Sequence, residues 1–282
     1  MVSRWSCYSL RGMGASLKPA LFVALLLALA GTSGYLKAAD PAVRRTLRIL
    51  TYNIHHGEGR DGELDLPRLA RVMTGVDPDL VALQEVDQGT MRAGGLNELT
   101  ELGHLTGMHA EFGKAMDFQG GDYGVGVLSR WPIVHADNRR LPGLPDREPR
   151  TALTVSIAMG EHEPLLTFTS THLDQGRELG NRVAQAGFLN ELLTRGAARP
   201  SILAGDMNSR VDTEVMQILG AQWANLFIDR EPTDPGRFPR GVDHILVRPG
   251  GRWRTVDSQV IDDRIASDHR PVLVVLELIG NP

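Results

Sequence analysis

Ser201-Ile-Leu-Ala-Gly-Asp-Met-Asn-Ser209 joins an apolar run, Ile202 to Ala204, to a glycine and two oxygen-bearing side chains, Asp206 and Asn208. The run reads as the end of a buried strand. Gly205 lets the backbone turn, so that Asp206 and Asn208 are presented just past the strand end. A charged and a neutral oxygen side chain two residues apart suit a hard divalent cation and a phosphate oxygen. Gly-Asp and Asn-Ser are also ordinary turn dipeptides. The weight of the reading therefore comes from the rest of the chain.

Working outward, the same pattern of strand ends recurs. Residues 165–171 read as a strand that ends in His172-Leu-Asp174, and a helix over 177–193 follows it, with Val183, Phe188, Leu189 and Leu192 on its apolar side. Beyond the central segment come a short helix over 212–219, a strand near 223–228, a loop over 231–241 and a strand from Val242 that carries Asp243. Residues 254–260 and 271–278 read as further strands, with Ser267-Asp-His-Arg270 immediately before the last. Towards the N-terminus, 48–53 reads as a strand that delivers Asn53, and 79–85 as one that delivers Glu85. Between them Asp65 caps a helix with Pro67 in its first turn and Leu66, Leu69, Ala70 and Met73 as its buried stripe. A helix is expected over 96–106, a short strand and loop around Phe112 and Met116, and a strand over 121–130. Residues 138–149 read as a loop that hands Arg150 to a strand over 151–159. Helices alternating with strands indicate a layered architecture. His55 and His56 stand side by side in a glycine-rich loop; adjacent residues point in different directions, which makes them poor joint ligands for one metal.

A chain of 282 residues with 42% apolar content buries one substantial core. Its single cysteine, Cys7, excludes an internal disulfide and a cysteine metal centre. Arg4, Arg11 and Lys18, then an apolar run from Pro19 to Ala30 and small residues to Ala38-Ala39, have the order of an export signal. Residues 1–39 are therefore read as a signal peptide or N-terminal anchor, and 40–282 as one catalytic domain of an exported protein. Loss of that leader leaves 26 basic residues against 34 acidic, moving the formal charge from −4 to −8, with Lys114 as the last lysine. That balance counts against a surface built to coat nucleic acid. Arg139, Arg140, Arg147 and Arg150 still make one local basic stretch.

Asn53, Glu85, His172, Asp206, Asn208, Asp243, Asp268 and His269 all fall at strand ends or starts. Rigid sheet ends and their loops are where catalytic groups usually sit. Carboxylates gathered in this way repel one another unless a cation lies among them. Oxygen-rich ligation favours Mg²⁺ or Mn²⁺ over zinc, and the histidines have no HExxH spacing. Glu85 and Asp268 are candidate metal holders; His172, Asn208 and Arg150 are candidate binders of phosphate oxygens. His269, oriented by a carboxylate, is the candidate base or charge partner.

Thr51-Tyr-Asn-Ile54, Leu83-Gln-Glu85, Tyr123-Gly124 to Leu128-Ser-Arg130, Thr171-His-Leu173, Gly205-Asp-Met-Asn208 and Ser267-Asp-His-Arg-Pro271 resemble the endonuclease/exonuclease/phosphatase superfamily. The bacterial metal-dependent hydrolases of that group are the most similar branch. The resemblance implies an α+β fold, a four-layer α/β/β/α sandwich of two mixed sheets with helices outside. It implies one or two Mg²⁺ or Mn²⁺ ions held by Asn53, Glu85, Asp206, Asn208 and Asp268. It also implies catalysis by His172, Asp206, Asn208, Asp243 and His269, with Arg150, His172 and Asn208 on the phosphate. Val125 departs from the asparagine that many members carry after the Tyr-Gly pair. The expected activity is hydrolysis of a P–O bond by in-line attack of water. A small phosphodiester, or a lipid or inositol phosphate head group, is the first choice of substrate. A secreted endonuclease acting on nucleic acid is second, and a non-catalytic binding protein third, because no metal or dyad residue is missing. No obligate protein partner is indicated.

Overall fold

In the computed structural model, the first strand of the domain, β1 (Arg45–Asn53), sends Leu47 and Ile49 into one apolar cluster and Leu50 and Tyr52 into another. A strand buried on both faces belongs to a sheet covered on both sides. The structure describes residues 45–160, 165–195, 199–226, 231–238 and 241–279. The expected leader, residues 1–39, lies outside the described residues.

The strands that follow are β2 (Leu80–Gln88), β3 (His109–Phe118), β4 (Gly121–Ser129), β5 (Ile133–Arg140), β6 (Thr151–Ile157), β7 (Leu166–His172) and β8 (Ser201–Asp206). After them come β9 (Ala224–Asn225), β10 (Asp243–Arg248), β11 (Trp253–Val260) and β12 (Val272–Leu278). One mixed sheet has the order β11-β12-β1-β2-β4-β3, the other β5-β6-β7-β8-β10-β9. Leu47, Ile49, Val127 and Val274 of the first pack on Phe168, Ile202 and Ile245 of the second in the central core. Helices α1 (Leu66–Gly75) and α2 (Glu98–Thr106) cover the outer face of the first sheet through Leu69, Met73, Leu99 and Leu102. Helices α3 (Gly180–Leu193) and α4 (Glu214–Gly220) cover the second through Ala186, Leu189, Val215 and Leu219. The result is the expected four-layer α/β/β/α sandwich. Each fully buried aliphatic or aromatic side chain in these layers contributes roughly 1.5–3 kcal/mol.

Asp65 caps α1 as expected, its Oδ1 accepting from the Arg68 N–H at 2.9 Å, and the buried stripe is Leu66, Leu69, Ala70 and Met73. Elsewhere the elements depart from expectation. The first part of the loop expected over 138–149 is instead the end of β5, and the short strand around Phe112 is the ten-residue β3. Both lie at sheet edges. An edge strand buries little, so its sequence stays polar and reads as loop. Helix α2 starts at Glu98, behind an Asn97 whose Oδ1 accepts from the Thr100 N–H at 3.1 Å. Helix α3 starts at Gly180 rather than Arg177, and α4 at Glu214 rather than Asp212. Strand β9 covers only Ala224–Asn225, and residues 227 and 228 of the longer expected strand lie outside the described residues.

Candidate active site

Strand register assembles one half of the site. Parallel pairing of β7 with β8 sets His172 beside Asp206, and antiparallel pairing of β8 with β10 sets Asp206 beside Asp243. Neighbouring strands lie about 4.8 Å apart, so these side chains form a row across the sheet end. The row requires Gly205, whose φ is 152° and whose missing Cβ would fall 1.9 Å from the Thr171 carbonyl oxygen. Any side chain there would push β7 away from β8.

The first sheet supplies the opposite wall. Its β2–β4 ladder steps from Gln84↔Val125 to Val86↔Gly124, leaving Glu85 as an unpaired extra residue with φ 57°. A bulge of this kind re-aims a side chain; here Glu85 lines the catalytic cavity. Past the bulge the Glu98 Oε2 accepts from the Asp87 N–H at 2.8 Å, which pins the chain against α2. Burial pushes the Glu98 carboxyl up to about 8, so it is a neutral acid at pH 7. Asn53 spans the two sheets: its Nδ2 donates to Glu85 Oε1 at 3.0 Å and to Asp206 Oδ2 at 3.3 Å. The Ser267 hydroxyl donates to the Asn53 carbonyl at 2.8 Å and accepts from the His269 N–H at 3.2 Å, docking the 267–269 segment on the end of β1.

Three buried groups set the electrostatics. Burial and the neighbouring Asp243 raise the Asp206 carboxyl to about 7. Burial by itself would lower the His269 imidazole, but Asp243, Asp206 and Asp268 together hold it well above its ordinary value. His269 is therefore an imidazolium, with Nδ1 3.0 Å from Asp243 Oδ2 and Nε2 3.7 Å from Asp206 Oδ2. His172 is the reverse. Burial and the Arg150 guanidinium push it well below its ordinary value, so it is neutral. Arg150 Nη1 stands 2.8 Å from His172 Nδ1, and a guanidinium only donates. Asn208 Nδ2 stands 2.9 Å from His172 Nε2, and Asp206 Oδ2 lies 3.3 Å from the same nitrogen, so the ring is held from both ends.

The two sheet ends enclose a cavity of about 270 Å³ that exposes Glu85, His172, Asp206, Asn208, Asp268 and His269 together. Asp243 sits directly behind it, through its bond to His269. Two expected site residues take other positions. Asn53, expected among the metal ligands, turns its Nδ2 to the carboxylates while its Oδ1 accepts from the His55 N–H at 3.1 Å, so here it is a bridge. Arg150, expected on the phosphate, is buried behind His172 and paired with Glu148 at 2.8 Å. Val125 belongs to the inter-sheet core, away from the cavity. Arg139 lies on β5 and is paired with Asp137.

The cavity also exposes Arg60, Gln175, Asp234 and Arg237, which the sequence reading did not single out. Asp234 Oδ2 is 3.9 Å from His269 Nε2, and its carboxyl is raised, chiefly by burial. Arg60 and Arg237 come from loops recognised only as charged, and the signal available was an arginine flanked by turn residues. Helix α3 buries Arg182 and Gln185 beside Ala186 and Leu189. Arg182 Nη1 donates to the Asp174 and Gly176 carbonyls at 2.8 and 2.6 Å. Gln185 Oε1 accepts from the Asp174 N–H at 2.9 Å. The helix thereby holds the loop that carries Gln175.

The arrangement can neutralise charge on a phosphate and take a proton from water. Glu85, Asp206, Asp234 and Asp268 crowd one small space, and Glu85 adds, after burial and Asp243, to what raises the Asp206 carboxyl. A divalent cation would relieve their repulsion, so the donor set fits such an ion. The sequence profile of the Endonuclease/Exonuclease/phosphatase family matches residues 50–269. YbhP of Escherichia coli is 26% identical over 226 residues, covering 76% of this chain and 79% of that protein. The endonuclease/exonuclease/phosphatase of Beutenbergia cavernae superposes with a TM-score of 0.69 at 25% identity, over 84% of this chain and 73% of that one. A mannosyl-6-phosphatase of Bacteroides thetaiotaomicron superposes with a TM-score of 0.64 at 20% identity, over 82% and 99% of the two chains.

Proposed function

The chain belongs to the endonuclease/exonuclease/phosphatase family and is a metal-dependent phosphoric ester hydrolase; from that premise we propose that it cleaves a small phosphodiester or a lipid or inositol phosphate head group with Mg²⁺ or Mn²⁺. The observation that carries the reading is the position of Asp206, which meets Asn53, His172 and His269 at one carboxylate oxygen. Glu85, Asp206 and Asp268 would hold the cation, which when bound supplies Lewis-acid neutralisation of the phosphate oxygens. Asp206, buried at the cavity wall beside Asn208, is placed to orient the attacking water and take its proton. His269, kept charged by Asp243, faces the negative charge that builds on the phosphoryl group. The neutral His172 and the Asn208 amide, 2.9 Å apart, lie on the same wall. Arg60 and Arg237 add positive charge at the rim.

A small substrate is favoured by the volume of the cavity and by the net charge of −4. We also read residues 1–39 as an export leader, which places the enzyme outside the cytoplasm. The test is a release assay on the full chain with Mg²⁺ or Mn²⁺, across inositol phosphates, phospholipids, bis-p-nitrophenyl phosphate and plasmid and abasic DNA. Turnover of head groups or small diesters that EDTA abolishes is expected. Faster cleavage of DNA would replace the reading with a nuclease, and a rate indifferent to EDTA would overturn the mechanism.

A further inference from the structure

The chain turns sharply after Asn53, and both His55 and His56 adopt left-handed backbone, with φ of 47° and 43°. Their rings stack at a tilt, centroids 4.3 Å apart, instead of diverging as adjacent side chains on an extended chain would. One ring nitrogen from each and one Glu85 oxygen lie within 4.8 Å of one another. The expectation that these histidines make poor joint ligands rested on diverging side chains, and the backbone of this turn brings the rings together instead. Glu85 is left-handed as well, so three of the six non-glycine residues with positive φ among the described residues meet in this one cluster. Strained backbone of this sort persists where the surrounding structure enforces it, and it concentrates at functional sites.

The ring nitrogens are presented as ligands need them. His55 Nδ1 lies 3.1 Å from the Glu58 carbonyl and donates its proton there, which leaves the lone pair on Nε2. A backbone carbonyl that fixes the tautomer in this way is the usual outer support of a metal-bound imidazole. His56 Nδ1 is buried and has no hydrogen-bond partner. Arg92, which lines the same cavity, is bonded to Asp87 at 2.6 and 2.9 Å. The cluster opens on a second cavity of about 290 Å³ that shares Glu85, Gln175 and Asp268 with the catalytic one.

We propose that His55, His56 and Glu85 form a second cation site that takes a borderline divalent transition metal, next to the oxygen-lined Asp206 and Asp268 wall. Two imidazoles and one carboxylate select Zn²⁺, Co²⁺ or Fe²⁺ over Mg²⁺, which prefers oxygen throughout. Glu85 is common to both walls, so occupancy of one site is felt at the other. The assignment rests on the histidine turn and does not depend on the hydrolase reading.

The test titrates the metal-free full chain with Co²⁺ alone, following the visible ligand-field band and the heat of binding, with excess Mg²⁺ present throughout. One band should grow in the wild type despite Mg²⁺. His55→Asn and His56→Asn, chosen because asparagine tolerates left-handed backbone, should lose it or weaken Co²⁺ binding by about tenfold or more. His269→Asn and Asp206→Asn should keep it. A band unchanged in both turn variants, or one lost in His269→Asn alone, would overturn the proposal and leave the hydrolase reading intact. Circular dichroism checks folding, and if a turn variant fails to fold, His56→Gly, which relieves the backbone at φ 43°, takes its place.

Discussion

Asp206 is the residue on which the chemistry converges, since one of its oxygens meets groups from both sheets while the other accepts the Asn208 N–H at 2.8 Å. Removing its charge, or removing the imidazolium of His269, removes the proton acceptor or the charge partner without emptying a large volume. We predict that Asp206→Asn and His269→Ala each lower kcat by at least about 10²-fold, with circular dichroism and melting close to wild type. A folded His269→Ala chain at full rate would refute the dyad. Glu98 gives a prediction of a different kind. Its carboxyl is about 8 in the folded chain against an ordinary value of 4.5. The folded state therefore holds the proton more tightly. That contribution to stability is complete below the ordinary value and is lost as pH rises through about 8. Glu98→Gln keeps the acceptor for the Asp87 N–H but cannot titrate. Denaturant unfolding from about pH 5 to about pH 9 should show the wild type losing stability by up to about 1.4 kcal/mol per pH unit relative to the variant.

At the scale of elements, the site is made by one close strand approach and one bulge. Gly205→Ala drives a methyl into the Thr171 carbonyl. We expect a cost of about 1–3 kcal/mol and a rate lost with it, because His172 and Asp206 hold their spacing through that pairing; a melting curve and kcat on the same preparation measure both. These elements also show what could be read in advance. Ile202 to Asp206, the end of β7, the start of β10 and the apolar part of β2 were legible because buried strands are apolar and the polar residues that bound those runs break the pattern. The edge strands β3 and β5 were not, because exposure removes the apolar alternation. The bulge at Glu85 leaves no mark in residue type, and of the left-handed turn at His55 and His56 the sequence shows only Gly57 beside it. The burial of Arg150 and of Arg182 and Gln185 on α3 was hidden for a related reason: buried arginines and a glutamine that bond to carbonyls and imidazoles look, in sequence, like a charged rim and a polar face.

For the molecule as a whole, the two sheets meet through an apolar core along most of their length and through polar groups at the cavity end. There Gln84 Nε2 donates to Ser170 Oγ at 3.4 Å, Ser170 Oγ donates to the Leu83 carbonyl at 3.1 Å, and Asn53 joins Glu85 to Asp206. A cation held by carboxylates from both sheets binds only the assembled sandwich, so it must stabilise folding. At a concentration about 100 times its Kd, Mg²⁺ or Mn²⁺ should add about 2.7 kcal/mol, raising Tm by several degrees in a scanning fluorescence melt. Glu85→Gln should abolish most of that shift, and a wild-type Tm blind to both ions would count against the site.

Strand β12 lies between β1 and β11, and Asp268 and His269 directly precede it in the chain. A growing polypeptide therefore carries both walls of the cavity long before it carries the residues that make them work. Strand β11 has no partner in the first sheet until β12 emerges after it, and the pairing of β12 with β1 spans nearly the whole domain, which is slow. Synthesis itself imposes a delay. On the proposed roles of Asp268 and His269, we expect a chain that stops short of Asp268 to be without activity.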